Sequence, residues 1–475
     1  MSRYYSPQSL ALKALPLLLT FPFPPQISAQ SIGSPESHPQ LTTHYCTLSA
    51  GCKPQNTSVV LDAATHNIHA LGDISTPCVT PDGTLDTTLC PDKESCAENC
   101  VIEGFTFDDY IAHGVHTNGG TLTLTQYRND GNGSLVSVSP RVYLLSSSSS
   151  SSSSDLEERE YEILSLLGQE FSFTVDVSLL PCGMNGALYL SSMSPTGGAS
   201  KYNPAGASYG TGYCDAQCYV TPWINGAGNV EGNGACCHEM DIWEGNSRAT
   251  GFTPHACLYN PEDVSGAGGE DGTGQGVYEC TTEEECNGPT GENDSVCDKW
   301  GCGFNPYALG DQDFYGRGDD EGEGVFEVDT TKPFTVVTQF LTGDNSSSMS
   351  GELVSIRRLY IQNNRLIHNA LIPIGSSNTS TTLLNDRLCA ATSSWFDSFG
   401  GMAGMGEPLG RGMVLAMSIW NDAGGYMQWL DGGDSGPCNA TEGSPENIEA
   451  TVPGTKVVFG DLRWGDLGTT FRDKV

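Results

Sequence analysis

Residues 171–177, Phe171-Ser172-Phe173-Thr174-Val175-Asp176-Val177, alternate apolar and polar side chains without interruption. Successive residues of an extended strand point to opposite faces, so Phe171, Phe173, Val175 and Val177 form one apolar face. The same period of two returns in TLTLTQY (121–127), FTVVTQF (334–340), VSIRRLYIQ (354–362), MVLAMSIW (413–420) and KVVFGDLRW (456–464). Turn residues separate these runs, which read as strands. Long helical periods are scarce, and 58 glycines favour turns and bulges over helices. The pattern predicts an all-β fold, a large antiparallel β-sandwich with long loops, as a single domain over residues 30–475.

Composition places that domain outside the cell. A chain of 475 residues with 18 cysteines and a net charge of −36 is too cysteine-rich for a typical cytosolic enzyme and too hydrophobic for a disordered one. Arg3 and Lys13 lie before or within an apolar stretch at 10–23, and Ile27-Ser28-Ala29 ends in small residues. This predicts an export signal over 1–29, cleaved after Ala29. Six sequons, at Asn56, Asn132, Asn293, Asn345, Asn378 and Asn439, fit passage through a glycosylating pathway. No later segment has eighteen uninterrupted apolar residues, so no membrane anchor is expected. The negative charge argues against nucleic acid and anionic membranes as partners, whereas a neutral polysaccharide is indifferent to it.

Two segments look inserted. Nine serines at 146–154 run into Asp155, Glu157, Glu158 and Glu160, a polar stretch over 146–160 with too little apolar area to pack, expected as a mobile hairpin tip. The second, at 257–302, is glycine-rich, acidic and tied by its own cysteines. It either decorates the surface or overhangs one end of a cleft.

Chemistry concentrates in Glu239-Met240-Asp241-Ile242-Trp243-Glu244, which puts three carboxylates within six residues of a strand-prone run. On a regular strand Glu239, Asp241 and Trp243 share one face and Glu244 points away. Glu244 joins the other acids only if a β-bulge absorbs one extra residue between Asp241 and Glu244. Paired carboxylates suit glycosidic cleavage, in which one acid protonates the leaving oxygen and a carboxylate attacks the anomeric carbon. Retaining enzymes hold that pair roughly 5 to 5.5 Å apart, and acids this close along one strand favour that arrangement over the wider inverting one. Taken alone, an E-x-D-x-x-E reads equally well as a calcium site or a solvated acidic face.

The longer string Cys236-Cys237-His238-Glu239-Met240-Asp241-Ile242-Trp243-Glu244-Gly245-Asn246, followed by Thr253-Pro254-His255, resembles the active-site strand of glycoside hydrolase family 7, the fungal cellulases. Further resemblances run through TSVVLD (57–62), TTLCPDKESCAENC (87–100), FSFTVDVSLLPCGMNGALYLSSM (171–193), YGTGYCDAQC (209–218), CGFNPYALG (302–310), GMVLAMSIWND (412–422) and MQWLDGG (427–433). The resemblance implies a concanavalin-like jelly roll whose concave sheet carries the cleft. It implies Glu239 as nucleophile, Glu244 as general acid and base, and Asp241 as the carboxyl that shares a proton or hydrogen bond with Glu239. His255 matches a position beside the leaving-group subsite, and Trp420 and Trp429 match aromatic platforms on either side of the scissile bond. Both tryptophans stand in strand-like sequence, where core packing is the competing reading. Asn185, Tyr189, Tyr213, Asp215 and Gln217 match positions that hydrogen-bond sugar hydroxyls. No cofactor or metal is implied, and the spacing around Cys236-Cys237 does not support zinc. The partner is a β-glucan, bound by a monomer.

Sequence alone does not choose among cysteine pairings. Mapped onto the family pattern, the 18 cysteines close into nine pairs: Cys46–Cys52, Cys78–Cys100, Cys90–Cys96, Cys182–Cys438, Cys214–Cys237, Cys218–Cys236, Cys257–Cys297, Cys280–Cys286 and Cys302–Cys389.

Departures from the pattern point to an open cleft. Ala63, Ala64, Thr65, His66 and Asn67 stand where many relatives carry distant aromatic platforms. The connections from Cys218 to Cys236 and from Trp429 to Cys438 lack the loops that roof a tunnel in exo-acting members. Ala308 stands where those enzymes have an arginine gripping the product end. No Ser/Thr/Pro linker and small cysteine-containing module trails the domain, so no separate cellulose-binding module is expected. These features favour a secreted endo-β-1,4-glucanase, while the 257–302 insertion keeps an exo-acting cellobiohydrolase in play. A catalytically silent carbohydrate-binding protein on the same sandwich is the third reading.

Overall fold

The computed structural model describes residues 31–474, apart from 148–158, 260–274, 289–294, 319–324, 344–350, 376–378 and 394. The export signal, the serine run beyond Ser147, part of the 257–302 insertion and the sequons at Asn293, Asn345 and Asn378 lie outside the described residues. Asn56, Asn132 and Asn439 are exposed.

Two large sheets face each other. The first runs, neighbour by neighbour, through Thr250–His255, Glu239–Gly245, Met184–Ser191, Met413–Asn421, Arg141–Leu145 and Ser58–Leu61, with Ile163–Leu164 also paired to the Met413 strand. The second runs through Arg365–His368, Leu353–Gln362, Phe334–Thr342, Gln169–Asp176, Lys456–Asp466, Thr43–Thr47 and Gly51–Gln55. Each run that alternates in sequence is a strand here. Pairing in both sheets is antiparallel except between Thr43–Thr47 and Lys456–Asp466, which lie parallel.

The core fills the space between the sheets. Phe171, Phe173 and Val175 enter it as their alternation requires, beside Trp243, Phe334, Phe340, Tyr360 and Phe459. Trp243 meets Phe173 edge-on at 6.2 Å between ring centres, a favourable aromatic geometry. The opposite face of the Phe171 strand is also covered. Glu170, fully buried there, accepts hydrogen bonds from the backbone N–H groups of Gly468, Thr469 and Thr470, so the C-terminal segment caps that face.

All nine disulfides implied by the family pattern are formed, and no described cysteine is free. Cys182–Cys438 spans 256 residues of sequence, which the chain-entropy account values at about 5.5 kcal/mol. Its position also matters, because it ties the end of the Asn185 strand to the segment that follows Trp429. Nearby, Asp431 accepts from Gly183 N at 2.8 Å and Asn246 Nδ2 at 2.6 Å, so these segments meet through polar contacts as well.

Candidate active site

The site begins with one misfit in the sheet. Glu239, Met240 and Asp241 pair regularly with Ser191, Leu190 and Tyr189 on one side and with His255, Pro254 and Thr253 on the other. Trp243 then pairs with Leu188 and Glu244 with Ala187, leaving Ile242 without a partner in either register. This is the bulge that Glu244 requires. One consequence corrects the simple alternation: Trp243 does not share a face with Glu239 and Asp241. Because Ile242 takes up the extra position, Met240, Ile242 and Trp243 all enter the core, and Glu244 turns toward the face of the other two acids.

That face is crowded with polar groups. Asn185 Nδ2 donates to Glu244 Oε1 at 2.8 Å, while Asn185 Oδ1 accepts from Gly245 N at 3.1 Å, so one amide braces the strand just past the bulge. Glu239 Oε2 accepts from Ala216 N at 3.2 Å. His255, held by the register opposite Glu239, places Nε2 3.0 Å from Asp241 Oδ2 and Nδ1 2.8 Å from the Asp298 carbonyl. Two acceptors on two ring nitrogens call for an imidazolium. Burial pulls the His255 pKa down, but the hydrogen bond and charge of Asp241, with Glu239 and Asp298 behind it, push it up to about 10.

Burial acts on the acids in the opposite sense, raising them. Burial, reinforced by the charges of Asp241 and Asp215, lifts Glu239 well above the ordinary glutamate range. Burial and the charge of Asp241 push Glu244 up to about 8, against the hydrogen bond from Asn185. Glu244 is therefore a proton donor at neutral pH. A measurable cost follows for stability. In the unfolded chain Glu244 titrates near the ordinary glutamate value of 4.5, so between there and about 8 the unfolded state releases a proton that the folded state keeps. This contribution to stability is complete below the lower value and is lost as pH rises through the upper one. Glu244→Gln removes the penalty, so its melting temperature should exceed that of wild type above pH 8, with the gap closing toward pH 4. Thermal melts across that range check it; a gap that widens on acidification contradicts the sign.

The remaining positions divide into two groups. Toward the Ser58 edge of the sheet, Tyr189 and Tyr213 touch through their hydroxyls at 3.1 Å, and Tyr213 donates to Asp215 Oδ2 at 2.9 Å. Gln217 is tied back through its side chain to the Lys299 carbonyl at 2.9 Å. At the other end of the Asn185 strand, Trp420 stands in register with Asn185. Its ring lies 6.3 Å from that of Trp429 with 30° between planes, so the two indoles are neighbours in one aromatic wall. Trp429 is 47 % exposed and sits on a short helix, Gln428–Asp431, not in a strand; core packing is thereby excluded for it. Met427 before it takes a left-handed backbone conformation at φ 56°, which breaks the strand-like run.

Four participants, Arg141, Asp62, Tyr143 and Asp298, escaped the sequence reading. Arg141 lays its guanidinium 3.4 Å from the centre of the Tyr213 ring, reaches Tyr189 Oη at 3.5 Å and pairs with Asp62 through Nε at 2.8 Å and Nη2 at 2.5 Å. Tyr143 donates to the same Asp62 carboxylate. The available signal was the alternation Arg141, Tyr143, Leu145 against Val142 and Leu144, which puts an arginine and a tyrosine on the face opposite the core. Asp298, whose carbonyl orients His255, lies in a loop and carries no local signal. Among the residues at 63–67, His66 turns inward, stacking on Phe105 at 4.3 Å and bonding Glu36, so that segment presents no exposed ring. Cys236 and Cys237 are spent in disulfides with Cys218 and Cys214.

A protonated carboxyl beside other carboxyls, on the face of a β-sandwich sheet turned away from the core and flanked by flat aromatic surface, is equipment for cleaving an acetal. The class that fold and site define is the glycoside hydrolases. Sequence comparison is narrower: the profile of glycosyl hydrolase family 7 matches residues 31–471, and the chain belongs to that family. Endo-beta-1,4-glucanase celB of Emericella nidulans is 65 % identical over 446 residues, covering 94 % of this chain and 96 % of that one. Endoglucanase EG-1 of Humicola insolens is 47 % identical over 440 residues, 92 % of this chain and 90 % of the other. The native structure of the Humicola insolens endocellulase EGI superposes with a TM-score of 0.79 at 46 % identity, covering 93 % of this chain and 100 % of that chain. A family 7 cellobiohydrolase from Daphnia pulex reaches the same TM-score at 35 % identity, with 93 % and 100 % covered.

Proposed function

We propose that this protein is a secreted, retaining endo-β-1,4-glucanase that cuts internal bonds of cellulose and related β-glucans by double displacement, acting as a monomer without metal or cofactor. Glu239 attacks the anomeric carbon while Glu244 protonates the departing oxygen; Glu244 then activates the water that releases the glycosyl-enzyme. The His255 imidazolium, bonded to Asp241, offsets the charge that Asp241 places beside Glu239 and so favours its ionisation, while burial and Asp241 hold the proton on Glu244. Trp420 and Trp429 offer flat apolar area for pyranose faces, and Asn185, Tyr189, Tyr213, Asp215 and Gln217 offer polar partners for hydroxyls. The observation that carries this reading is the unpaired Ile242, which turns Glu244 toward Glu239 and Asp241.

Endo action draws support from the inward-turned His66, the exposed Ala308 and the endoglucanases among the relatives. The test is hydrolysis of a soluble cellulose derivative with viscosity and reducing ends followed together, and product anomers read by NMR before mutarotation. Rapid viscosity loss at low reducing-end yield, with β-anomeric product, is expected. Release of cellobiose with little loss of viscosity would establish the exo-acting alternative; an α-anomeric first product would remove the retaining mechanism.

A further inference from the structure

The bulge that reorients Glu244 leaves a problem on its other side. Ile242 faces the hydrophobic core and has no register partner in either neighbouring strand. A buried carbonyl without a donor costs about 1 to 3 kcal/mol, and the strand can escape that cost by slipping back into register. Slipping back would return Glu244 to the opposite face.

Arg358 blocks that escape. It comes from the second sheet, on Leu353–Gln362, where the alternation Ile356, Arg358, Tyr360 places it among core-facing residues. Its side chain is fully buried and donates from Nη2 to the carbonyl of Ile242. Its guanidinium lies over the Phe252 ring at 4.2 Å, on the strand that flanks the bulge, and near Tyr360. Among the described residues it forms no ion pair, and its Nε and Nη1 have no acceptor. A buried cation without a counter-ion is expensive, so this arginine is a poor choice for stability. Its hydrogen bond to the backbone goes to the bulge, and the Tyr360 side chain is its other polar neighbour among the described residues.

We infer that Arg358 is a positioning residue for the general acid: by holding the Ile242 carbonyl from the core side, it keeps the bulge formed and Glu244 turned toward Glu239. The role is specific to Glu244, because Glu239, Met240 and Asp241 are paired on both sides and do not depend on the bulge. The groups facing Glu244 on the cleft side are Asp241, His255 and Asn185; those facing Arg358 are Phe252 and Tyr360. The inference rests on the assignment of Glu244 as acid.

The test compares wild type, R358M and R358K as full-length protein, by melting temperature and by kcat and KM on a cello-oligosaccharide and on dinitrophenyl β-cellobioside. The phenolate of the second substrate leaves without a proton, so in the glycosylation step, read as kcat/KM, a displaced acid harms only the first, whereas release of the glycosyl-enzyme needs Glu244 as base on both. R358M should melt at or above wild type, since replacing a buried unpaired charge with a similar apolar side chain is often neutral or stabilising. On the oligosaccharide its kcat should fall by about 10- to 100-fold with KM changed less than about threefold, the scale expected for a small misplacement of a reacting group. On the aryl glycoside the loss in kcat/KM should stay under about threefold. R358K, with a shorter donor, should fall between. A folded R358M with unchanged oligosaccharide turnover, or with equal losses of kcat/KM on both substrates, overturns the inference. If R358M does not fold, R358K decides by the same comparison: a selective loss on the oligosaccharide supports the role, and wild-type or evenly reduced rates overturn it. Failure of the acid assignment would show separately, as a Glu244→Gln variant without the leaving-group signature.

Discussion

Glu239→Gln should abolish turnover of β-1,4-glucans, lowering kcat on the order of 10⁴-fold or more, a loss typical of removing a nucleophile whose partners remain. Glutamine keeps the shape and accepts the hydrogen bond from Ala216, but it cannot form the glycosyl ester through which a retaining enzyme works. Binding of an oligosaccharide should change by no more than a few-fold, because the aromatic wall and the tyrosine and asparagine contacts are untouched. Initial rates together with calorimetric titration of the inactive variant measure both. Activity within about tenfold of wild type would remove Glu239 from its role, since general acid–base help alone is worth about 10² to 10⁴.

Glu244→Gln should produce a different pattern. Loss of the proton donor is expected to cost about 10²- to 10⁴-fold on natural glucan and far less in the first step on dinitrophenyl β-cellobioside. The pH dependence follows from the same group. In wild type, kcat/KM should fall on the alkaline side near pH 8, where the protonated fraction of Glu244 drops, and on the acidic side above the ordinary glutamate value, where the raised Glu239 takes up its proton. On the aryl substrate, glycosylation in the variant should lose the alkaline limb while keeping the acidic one. An alkaline limb that survives there unchanged would assign that titration to another group.

Both outcomes depend on a detail that one-dimensional reading states only as a condition. The six residues from Glu239 to Glu244 display their acids, and the arithmetic of a period-two strand shows that a bulge is needed to bring Glu244 over. Whether it forms is decided elsewhere: by Asn185 bracing Gly245 on one side and by an arginine 116 residues away along the chain on the other. The same arithmetic misplaced Trp243, because one absorbed residue reverses the face of whatever follows it.

The sequence by itself determined the strands, since alternation reports which side chains must leave water and is a local property. It also contained every acid, and through the family pattern each cysteine pair. Only the tertiary structure decided that Trp429 sits exposed on a short helix beside Trp420, that Arg141 and Asp62 join the cleft, and that the Asp298 carbonyl orients His255. These depend on contacts between segments distant in sequence, and such contacts leave no periodicity in the chain. The raised pKa that makes Glu244 a donor near neutrality arises in the same way, from burial and from charges that only folding brings together.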